Sequence, residues 1–342
     1  MALFSTILVV FFSIMAFQSL SAGSQQNEEE LVEAPTPTPL NNDIVPNDES
    51  SSEKNLLITD GQRYFENIVD PQSTNILLLG TEPTGFNFDT IMVLNIDKQG
   101  KKVKIISFPR DIYIDYSDEI LNAIAETKPA LLKEKGIHRI NAAPSIGETI
   151  NYKNGSGRFN KPYVDFIADL IQEVFVIPIN DYAYVKTKGF RNIVDAFGGV
   201  NVYVPVLMNY TDPTQDFSVY IEKGTQHLTG TQAEGYVRFR QGYDENGVFH
   251  NYGDIFRKQN QNRFIQAFIK QHVTFKNLGK LSTIADIISN NVITSVKGWD
   301  AIVDYGALAE QALSEAYPIE SLELQVTEKT IGGSSYVIIK TD

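Results

Sequence analysis

The sequence predicts an α/β protein in which helices flank a central mixed β-sheet, giving α/β/α layers. Strand-like and helix-like segments alternate along most of the chain, which is typical of layered α/β domains. The run Asn75–Gly80 is almost wholly apolar and ends in Gly, as expected of a buried central strand. Two further runs, Ile91–Asp97 and Val103–Phe108, flank a polar turn that contains Gly, and they predict a β-hairpin.

The N-terminal segment has a different composition from the rest. Ala2–Leu20 is almost wholly apolar, so residues 1–22 are predicted to be a signal peptide or a membrane anchor. Small residues at Ser19–Ala22 suit cleavage, whereas the length of the apolar run suits spanning a bilayer, and no Lys or Arg precedes it. Residues 23–55 are acidic and rich in Pro and Ser, which predicts a disordered spacer that holds a domain away from a membrane.

Composition limits the possible functions. The chain has 342 residues, is 42% apolar and carries a net charge of −13, much of which lies in the acidic spacer. This balance argues against non-specific nucleic-acid binding, which needs a basic face. The chain has no Cys, so it has no disulfide framework, thiolate zinc site or cysteine nucleophile.

The remaining elements are predicted from hydrophobic periodicity and from turn and cap residues. The helix at Gly189–Phe197 is expected to end at Gly198-Gly199. The last two strands, Leu322–Val326 and Tyr336–Ile339, are expected to close an edge of the sheet. The other predicted helices are Ile120–Lys135, Tyr163–Phe175, Leu228–Glu234, a long helix from about Asp254, Leu281–Ile287 and Trp299–Ala312, and the other strands are Ile179–Val185, Val200–Pro205 and Tyr236–Arg240.

A cluster of charge is predicted around the strand Tyr236–Arg240. Alternation along a strand puts Arg238 and Arg240 on one face. In the helix that follows, Asp254, Arg257 and Gln261 share one face. Two arginines next to this polar helix face suit a multiply charged anion. The alternative is solvated charge on an exposed strand and helix.

The predicted hairpin also brings two carboxylates together. Asp89 lies just before its first strand and Asp111 just after its second, so antiparallel pairing makes them neighbours. Close carboxylates repel each other unless a cation or a proton lies between them. With Arg110 adjacent, Mg²⁺ bridging to a phosphate is the expected occupant. The alternative for this pair is two unrelated loop carboxylates. Arg139 is a candidate for a further anion contact, and its alternative is an ordinary surface role.

The order and spacing of several segments between Asn75 and Gln271 resemble the LytR-CpsA-Psr family. Each segment alone is a weak signal, whereas their succession is specific. The segments are NILLLG from Asn75, DT at Asp89, SFPRD from Ser107, RINAA from Arg139, GFRNIVDAFGGVNVYVP from Gly189, GTQHLTG from Gly224, YVRFR from Tyr236, and DIFR followed by Gln261.

The resemblance implies an extracytoplasmic α/β enzyme, anchored to the membrane by its N-terminal segment or secreted if that segment is cleaved. Residues 56–273 would form the catalytic domain, and residues 274–342 the C-terminal part of the same α/β domain. Such enzymes transfer glycopolymers, for example teichoic acid or capsule, from a polyprenyl-pyrophosphate carrier to peptidoglycan. An apolar groove for the polyprenyl chain is also implied, without assigned residues.

The resemblance also assigns site residues. Asp89 and Asp111 would hold Mg²⁺, with Mn²⁺ as the alternative metal. Asp254 and Gln261 would complete and orient the pyrophosphate-binding shell. Catalysis would depend on Asp89, Asp111, Arg110 and Arg257, and the residues in contact with the pyrophosphate would be Arg110, Arg139, Arg238, Arg240 and Arg257.

Three positions depart from the family pattern. Phe88 stands where Ser is usual, Asn260 where a second helix Arg is common, and Asn262 where a second Gln is common. Fewer cations would weaken phosphate binding or favour another donor.

The residues and the resemblance both point to transfer of a phosphoryl group to a wall hydroxyl, forming a phosphodiester. Asp89 or Asp111 is expected to help remove the hydroxyl proton, because no His or Ser constellation lies near the motifs. Two alternatives stay open at this stage. One is a phosphatase that hydrolyses the same polyprenyl pyrophosphate, and the other is a non-enzymatic wall protein that binds or regulates anionic polymer.

Overall fold

A computed structural model describes residues 57–81, 88–212, 217–272, 290–296 and 299–341. The predicted leader at 1–22, the spacer at 23–55 and the predicted helix Leu281–Ile287 lie outside the described residues. Within the described residues, no helix has both the length and the apolar character that crossing a bilayer requires.

The N-terminal half contains the strands β1 (Thr74–Thr81), β2 (Phe88–Asp97), β3 (Lys102–Phe108) and β4 (Asp181–Lys186). Its helices are α1 (Asp118–Thr127), α2 (Ala143–Thr149) and α3 (Pro162–Phe175), with short 3-10 turns at Pro129–Lys133, Ile140–Ala142 and Tyr152–Gly155. The predicted helix Ile120–Lys135 is therefore wrong at its C-terminal end. Helix α1 ends at Thr127 because Pro129 has no N–H to continue the ladder.

The following segment contains α4 (Thr187–Ala196), β5 (Val200–Val204), β6 (Met208–Asp212), β7 (Phe217–Ile221), β8 (Gly224–Leu228), α5 (Gly230–Arg238), β9 (Gln241–Tyr243), β10 (Phe249–Asn251) and the long α6 (Gly253–His272). The described C-terminal elements are β11 (Val292–Thr294), α7 (Trp299–Ser314), β12 (Ile319–Glu323), β13 (Val326–Ile331) and β14 (Ser334–Ile339). Gly198 and Gly199 follow α4 with φ of +83°, which confirms the predicted end of that helix.

Six of these strands form one sheet in the order β11-β4-β1-β2-β3-β12. Strand β1 runs antiparallel to β2 and parallel to β4, and β3 runs antiparallel to β2 and parallel to β12, so the sheet is mixed. Leu77, Leu78 and Leu79 are each fully buried although their side chains alternate faces. Both faces of the sheet are therefore covered, and the predicted α/β class, the central strand and the hairpin are confirmed.

The strand predicted at Tyr236–Arg240 is wrong. Helix α5 runs through Arg238, and a capping box starts it: the Thr229 hydroxyl accepts a bond from the Gln232 N–H, and Gln232 Oε1 accepts one from the Thr229 N–H. The cap outweighs the strand preference of the aromatic and β-branched residues that follow. Arg238 consequently lies in the last helical turn and Arg240 beyond it, so they do not share a strand face.

The C-terminal strands divide between two sheets. Strand β12 pairs with β3 and closes an edge of the main sheet, as expected, but it starts three residues before the predicted Leu322–Val326 and ends at Glu323. The second, β14, instead pairs with β13 in a separate hairpin. This hairpin binds the chain that leaves β3: the Val337 N–H donates to the Asp111 carbonyl at 2.9 Å, and the Tyr113 N–H donates to the Val337 carbonyl at 2.8 Å.

The stability of the fold is expected to fall at alkaline pH, because a partly buried tyrosine keeps its proton in the folded state. Burial raises the pKa of Tyr163 to about 12, against about 10 in an unfolded chain. The folded state keeps a proton that the unfolded chain loses, so this stability is complete below pH 10 and falls as the pH rises towards 12. Urea unfolding at several pH values between 10 and 12 should show that a Tyr163→Phe variant loses less stability per pH unit than the wild type. Parallel pH profiles would contradict this assignment.

Candidate active site

A small basic pocket lies where β2 and β3 reach the first turns of α6. Its cations are Arg110, just after β3, and Arg257 and Lys258 on α6, and none of the described residues that line it has a carboxylate. Its volume of about 10 Å³ holds roughly one water molecule. The other residues that line it are Thr90, Ile91, Met92, Ser107, Phe108 and Gln261.

Arg257 and Gln261 are the buried members of this pocket, with exposures of 6% and 7%. They lie one helical turn apart on α6. The Gln261 amide donates to the Val237 carbonyl at 3.2 Å, which ties α6 to α5. A guanidinium in such a poorly hydrated position attracts an anion more strongly than a surface cation does, because water screens it less.

Asp111 is held by two arginines beside the pocket. Arg139 Nε lies 3.1 Å from Asp111 Oδ1, and Arg110 Nε lies 3.6 Å from Asp111 Oδ2. Arg139 is fixed on its other side, since its Nη2 donates to the Ser335 carbonyl at 3.2 Å and its guanidinium lies 5.7 Å from the Tyr336 ring. Arg139 therefore bridges Asp111 and the β13–β14 hairpin.

The strand register brings the backbone of Asp89 to the same end of the sheet as Asp111. Ile91 pairs with Phe108, so Asp89 lies two residues before this pair and Asp111 three residues after it. Asp89 belongs to β2 itself rather than preceding the strand. Its side chain lies outside the described part of the structure.

The predicted metal site rests on this pair. No three His, Asp or Glu side chains among the described residues are grouped to hold a metal ion. The oxygens of Asp111 are donors of the type that Mg²⁺ prefers, and they also pair with Arg110 and Arg139. The strand register brings the backbone of Asp89 to the same end of the sheet, and the magnesium site stays a prediction.

Arg238 is held by an internal network and does not line the basic pocket. Its Nη1 donates to Glu234 Oε1 at 2.6 Å, and Arg191 Nη1 donates to Glu234 Oε2 at 2.8 Å. Its guanidinium also lies 4.3 Å from the centre of the Phe217 ring. The Glu234 side chain is only 7% exposed, so one buried carboxylate fixes two arginines.

The two remaining residues of the predicted clamp lie around the start of α6. Arg240 is exposed, and its carbonyl accepts the N–H groups of Tyr252 and Gly253 at 2.8 and 3.1 Å. Asp254 lies in the first turn of α6, and its side chain is outside the described part of the structure. The structure therefore gathers Arg110, Arg257 and Gln261 in one pocket and places Arg238 and Arg240 apart from its lining.

Sequence reasoning missed two residues here. Lys258 follows Arg257 and lines the pocket beside it, but a single Lys on a helix carries no distinctive signal. Glu234 precedes Arg238 by four residues. That spacing would have identified the pair if the segment had been recognised as helical.

The three departures from the family pattern are all buried. Phe88 stacks with Tyr163, with ring centroids 6.4 Å apart, so it belongs to an aromatic cluster rather than to the pocket lining. Asn260 Oδ1 accepts a bond from Arg263 Nη1 at 2.8 Å. Asn262 Oδ1 accepts one from the Ser107 hydroxyl at 3.3 Å and so links α6 to β3 beside the pocket. The effect of these residues on phosphate binding stays a prediction.

Replacing Glu234 with Gln tests the arginine network. The neutral amide leaves Arg238 and Arg191 without their shared charge partner, so the free energy of unfolding should fall by about 2 kcal/mol. This is less than the 3–5 kcal/mol typical of a fully buried pair, because Arg191 is partly exposed. Urea unfolding measures the loss, with Glu245→Gln on the exposed β9–β10 turn as the control. Equal losses in the two variants would mean that the network adds no stability.

A family model and two named relatives resemble this chain over most of its length. A model of the LytR_cpsA_psr family matches residues 44–342. The polyisoprenyl-teichoic acid–peptidoglycan teichoic acid transferase TagU of Bacillus anthracis is 27% identical over 234 residues, which are 68% of this chain and 63% of that protein. The transferase of the same description from Bacillus subtilis, TagV, is 27% identical over 210 residues, 61% of this chain and 45% of that protein. The chain thus spans less than two thirds of these relatives.

A solved structure shares the fold. The LytR-Csp2A-Psr enzyme from Actinomyces oris superposes with a TM-score of 0.55 at 18% identity, covering 83% of this chain and 91% of that one.

Proposed function

This chain belongs to the LytR-CpsA-Psr family, as its sequence pattern predicted, and on that premise we propose that it transfers a glycopolymer from a polyprenyl-pyrophosphate carrier to a hydroxyl of peptidoglycan. The observation that carries this proposal is the presence of Arg110, Arg257 and Lys258 in the lining of one pocket. Three converging cations suit a pyrophosphate, whose charge must be neutralised before a phosphoryl group can move. The descriptions of TagU and TagV support the same donor and acceptor classes.

The proposed reaction exchanges one P–O bond for another. A wall hydroxyl oxygen bonds to the phosphorus that carries the glycopolymer, and the bond from that phosphorus to the bridging oxygen breaks. Polyprenyl phosphate leaves with the electron pair. Arg257 and Arg110 stabilise the charge that develops on it, which is electrostatic catalysis by groups already held in place.

The size of the pocket determines how the anion sits. Space for roughly one water cannot enclose a pyrophosphate. Arg110 and Lys258 are partly exposed, whereas Arg257 is buried. We therefore expect the pyrophosphate to lie at the mouth of the pocket, in contact with the two partly exposed cations.

Asp89 and Asp111 are proposed to hold Mg²⁺, with Mn²⁺ as the alternative. When bound there, the ion would neutralise charge on the phosphoryl oxygens. The carboxylates themselves are the candidates for accepting the proton of the wall hydroxyl. Comparing pH–rate profiles of Asp89→Asn and Asp111→Asn with the wild type tests this role. Replacing the residue that acts as the base should remove the pH-dependent limb from the profile of that variant. Unchanged limbs in both profiles would rule out both residues.

We propose that the protein works on the outer side of the cell membrane, where the carrier lipid and peptidoglycan meet. Residues 1–22 would anchor it there, and residues 23–55 would give the domain reach to the wall.

A turnover assay with the full-length protein tests the proposed function. The mixture contains a polyprenyl-pyrophosphate-linked sugar, peptidoglycan oligomers and Mg²⁺, and mass spectrometry identifies the products. A phosphodiester between sugar and glycan that disappears with chelator, and returns with added Mg²⁺, is the expected result. Free sugar phosphate alone would favour the phosphatase. Binding of labelled polymer without turnover would favour a wall-binding protein.

A further inference from the structure

A second and larger cavity shares no lining residue with the basic pocket. It has a volume of about 280 Å³ and lies between the loop before α3, the start of β4 and the edge strand β11. In the strand order, β4 and β11 lie on one side of β1, whereas β2 and β3, which line the basic pocket, lie on the other side. The two cavities are therefore separate sites along the sheet.

This second cavity is positively charged. Arg158 and Lys161 line it, and the other described residues of its wall carry no carboxylate. Among the described residues, neither cation lies within ion-pair distance of a carboxylate. The nearby Asp165 is buried and is engaged by the N–H groups of Phe159 and Lys161 at 2.8 and 3.0 Å. In a chain with a net charge of −13, two such cations in one cavity favour an anionic ligand.

Aromatic rings and hydroxyl groups form the rest of the wall. The Phe159 ring meets the Tyr182 ring edge-on at 5.1 Å, and the Arg158 guanidinium lies 4.8 Å from the Phe159 centroid. Tyr182 is 2% exposed, and its hydroxyl has no hydrogen-bond partner among the described residues. The hydroxyls of Thr294 and Ser295 donate to the Tyr182 carbonyl and to Asp181. Each oxygen also accepts one backbone bond, from the Val296 N–H at 3.1 Å and from the Tyr182 N–H at 2.8 Å, and so keeps one lone pair for a ligand.

We propose that this cavity binds a phosphate-bearing sugar unit. Arg158 and Lys161 would take the phosphate, because guanidinium and ammonium groups are the usual phosphate partners. The sugar would contact the aromatic wall and exchange hydrogen bonds with Tyr182, Thr294 and Ser295. The volume is near the lower end for ligand pockets, which suits a single unit.

Such a unit recurs along an anionic glycopolymer. If the proposed function holds, the cavity would bind one repeat of the polymer while the basic pocket binds the pyrophosphate. Two linked contacts raise the affinity for a long polymer without changing the reacting groups. This role rests on the proposed function, whereas binding of the sugar phosphate itself does not.

The test measures binding of glucose 1-phosphate to the full-length protein by isothermal titration calorimetry, with glucose and inorganic phosphate as comparison probes. The double variant Arg158→Gln, Lys161→Gln should raise Kd at least about tenfold. Tyr182→Phe, which keeps the ring packing, should raise it severalfold. Lys186→Gln, at the other end of β4, and Arg257→Ala should leave Kd unchanged. Circular dichroism checks that each variant is folded.

Three results would overturn the proposal. Unchanged affinity in a folded double variant would show that the cavity is not the site. Loss of binding in Arg257→Ala alone would place the ligand in the basic pocket. Equal affinity for inorganic phosphate would show that the sugar contributes nothing. None of these readouts needs turnover, so they are independent of the transferase assay.

Discussion

Replacing Arg257 with Ala is expected to lower turnover by about 10²–10³-fold, the usual cost of removing one preorganised charge donor from an active site. Arg257 is the buried cation of the basic pocket, and neither Arg110 nor Lys258 can occupy its position from the partly exposed rim. Arg257→Lys keeps the charge but loses the planar fork that binds two phosphate oxygens, so an intermediate loss is expected. Steady-state rates of product formation by mass spectrometry measure both effects.

The control for this prediction is Lys270→Ala, because Lys270 is exposed in the last turn of the same helix. It removes the same charge from α6 without touching the pocket, and its turnover should match the wild type. Thermal unfolding shows whether Arg257→Ala remains folded. Full activity in a folded Arg257→Ala variant would remove the basic pocket from the mechanism.

Replacing Gly147 with Ala is expected to destabilise the fold by about 3 kcal/mol, at the upper end of the usual cost of overpacking. Gly147 lies where α2 crosses α3. An added Cβ would lie 2.4 Å from the Phe166 Cβ and 2.6 Å from the Pro162 carbonyl oxygen. Neither atom is the end of a flexible side chain, so relief requires the two helices to separate. Urea unfolding measures the loss.

The neighbouring residue provides a matched control. Glu148 is exposed on the same helix, so Glu148→Ala changes helix propensity without creating a clash and should alter stability only slightly. A Gly147→Ala variant as stable as Glu148→Ala would show that the two helices can move apart at little cost.

The sheet was predictable because its signals are local. A continuous apolar run identified β1, and a polar turn with Gly identified the β2–β3 hairpin, whose register brings the backbones of Asp89 and Asp111 to the same end of the sheet. The segment around Arg238 was mispredicted because Tyr, Val and Phe favour strands. The helix that starts at the Thr229–Gln232 capping box was predicted, but it was expected to end at Glu234, whereas it continues through Arg238.

The candidate site was only partly predictable because distant segments build it. Arg257 and Gln261 follow from helical spacing, but their position beside Arg110 depends on how α6 packs against the sheet. No local pattern could show that Glu234 and Phe217 hold Arg238 outside the pocket lining. Nor could the sequence show that Phe88 turns into an aromatic cluster rather than towards the pocket.

The β13–β14 hairpin has a consequence for the order in which the site is completed. Val337 binds the backbone of Asp111, and Ser335 holds Arg139 beside it, so this hairpin supports residues encoded some two hundred positions earlier. A chain that emerges from its N-terminus onwards cannot secure Asp111 in this way until β14 has been synthesised. Deletion of the hairpin should therefore release Arg139 and the backbone of Asp111 together.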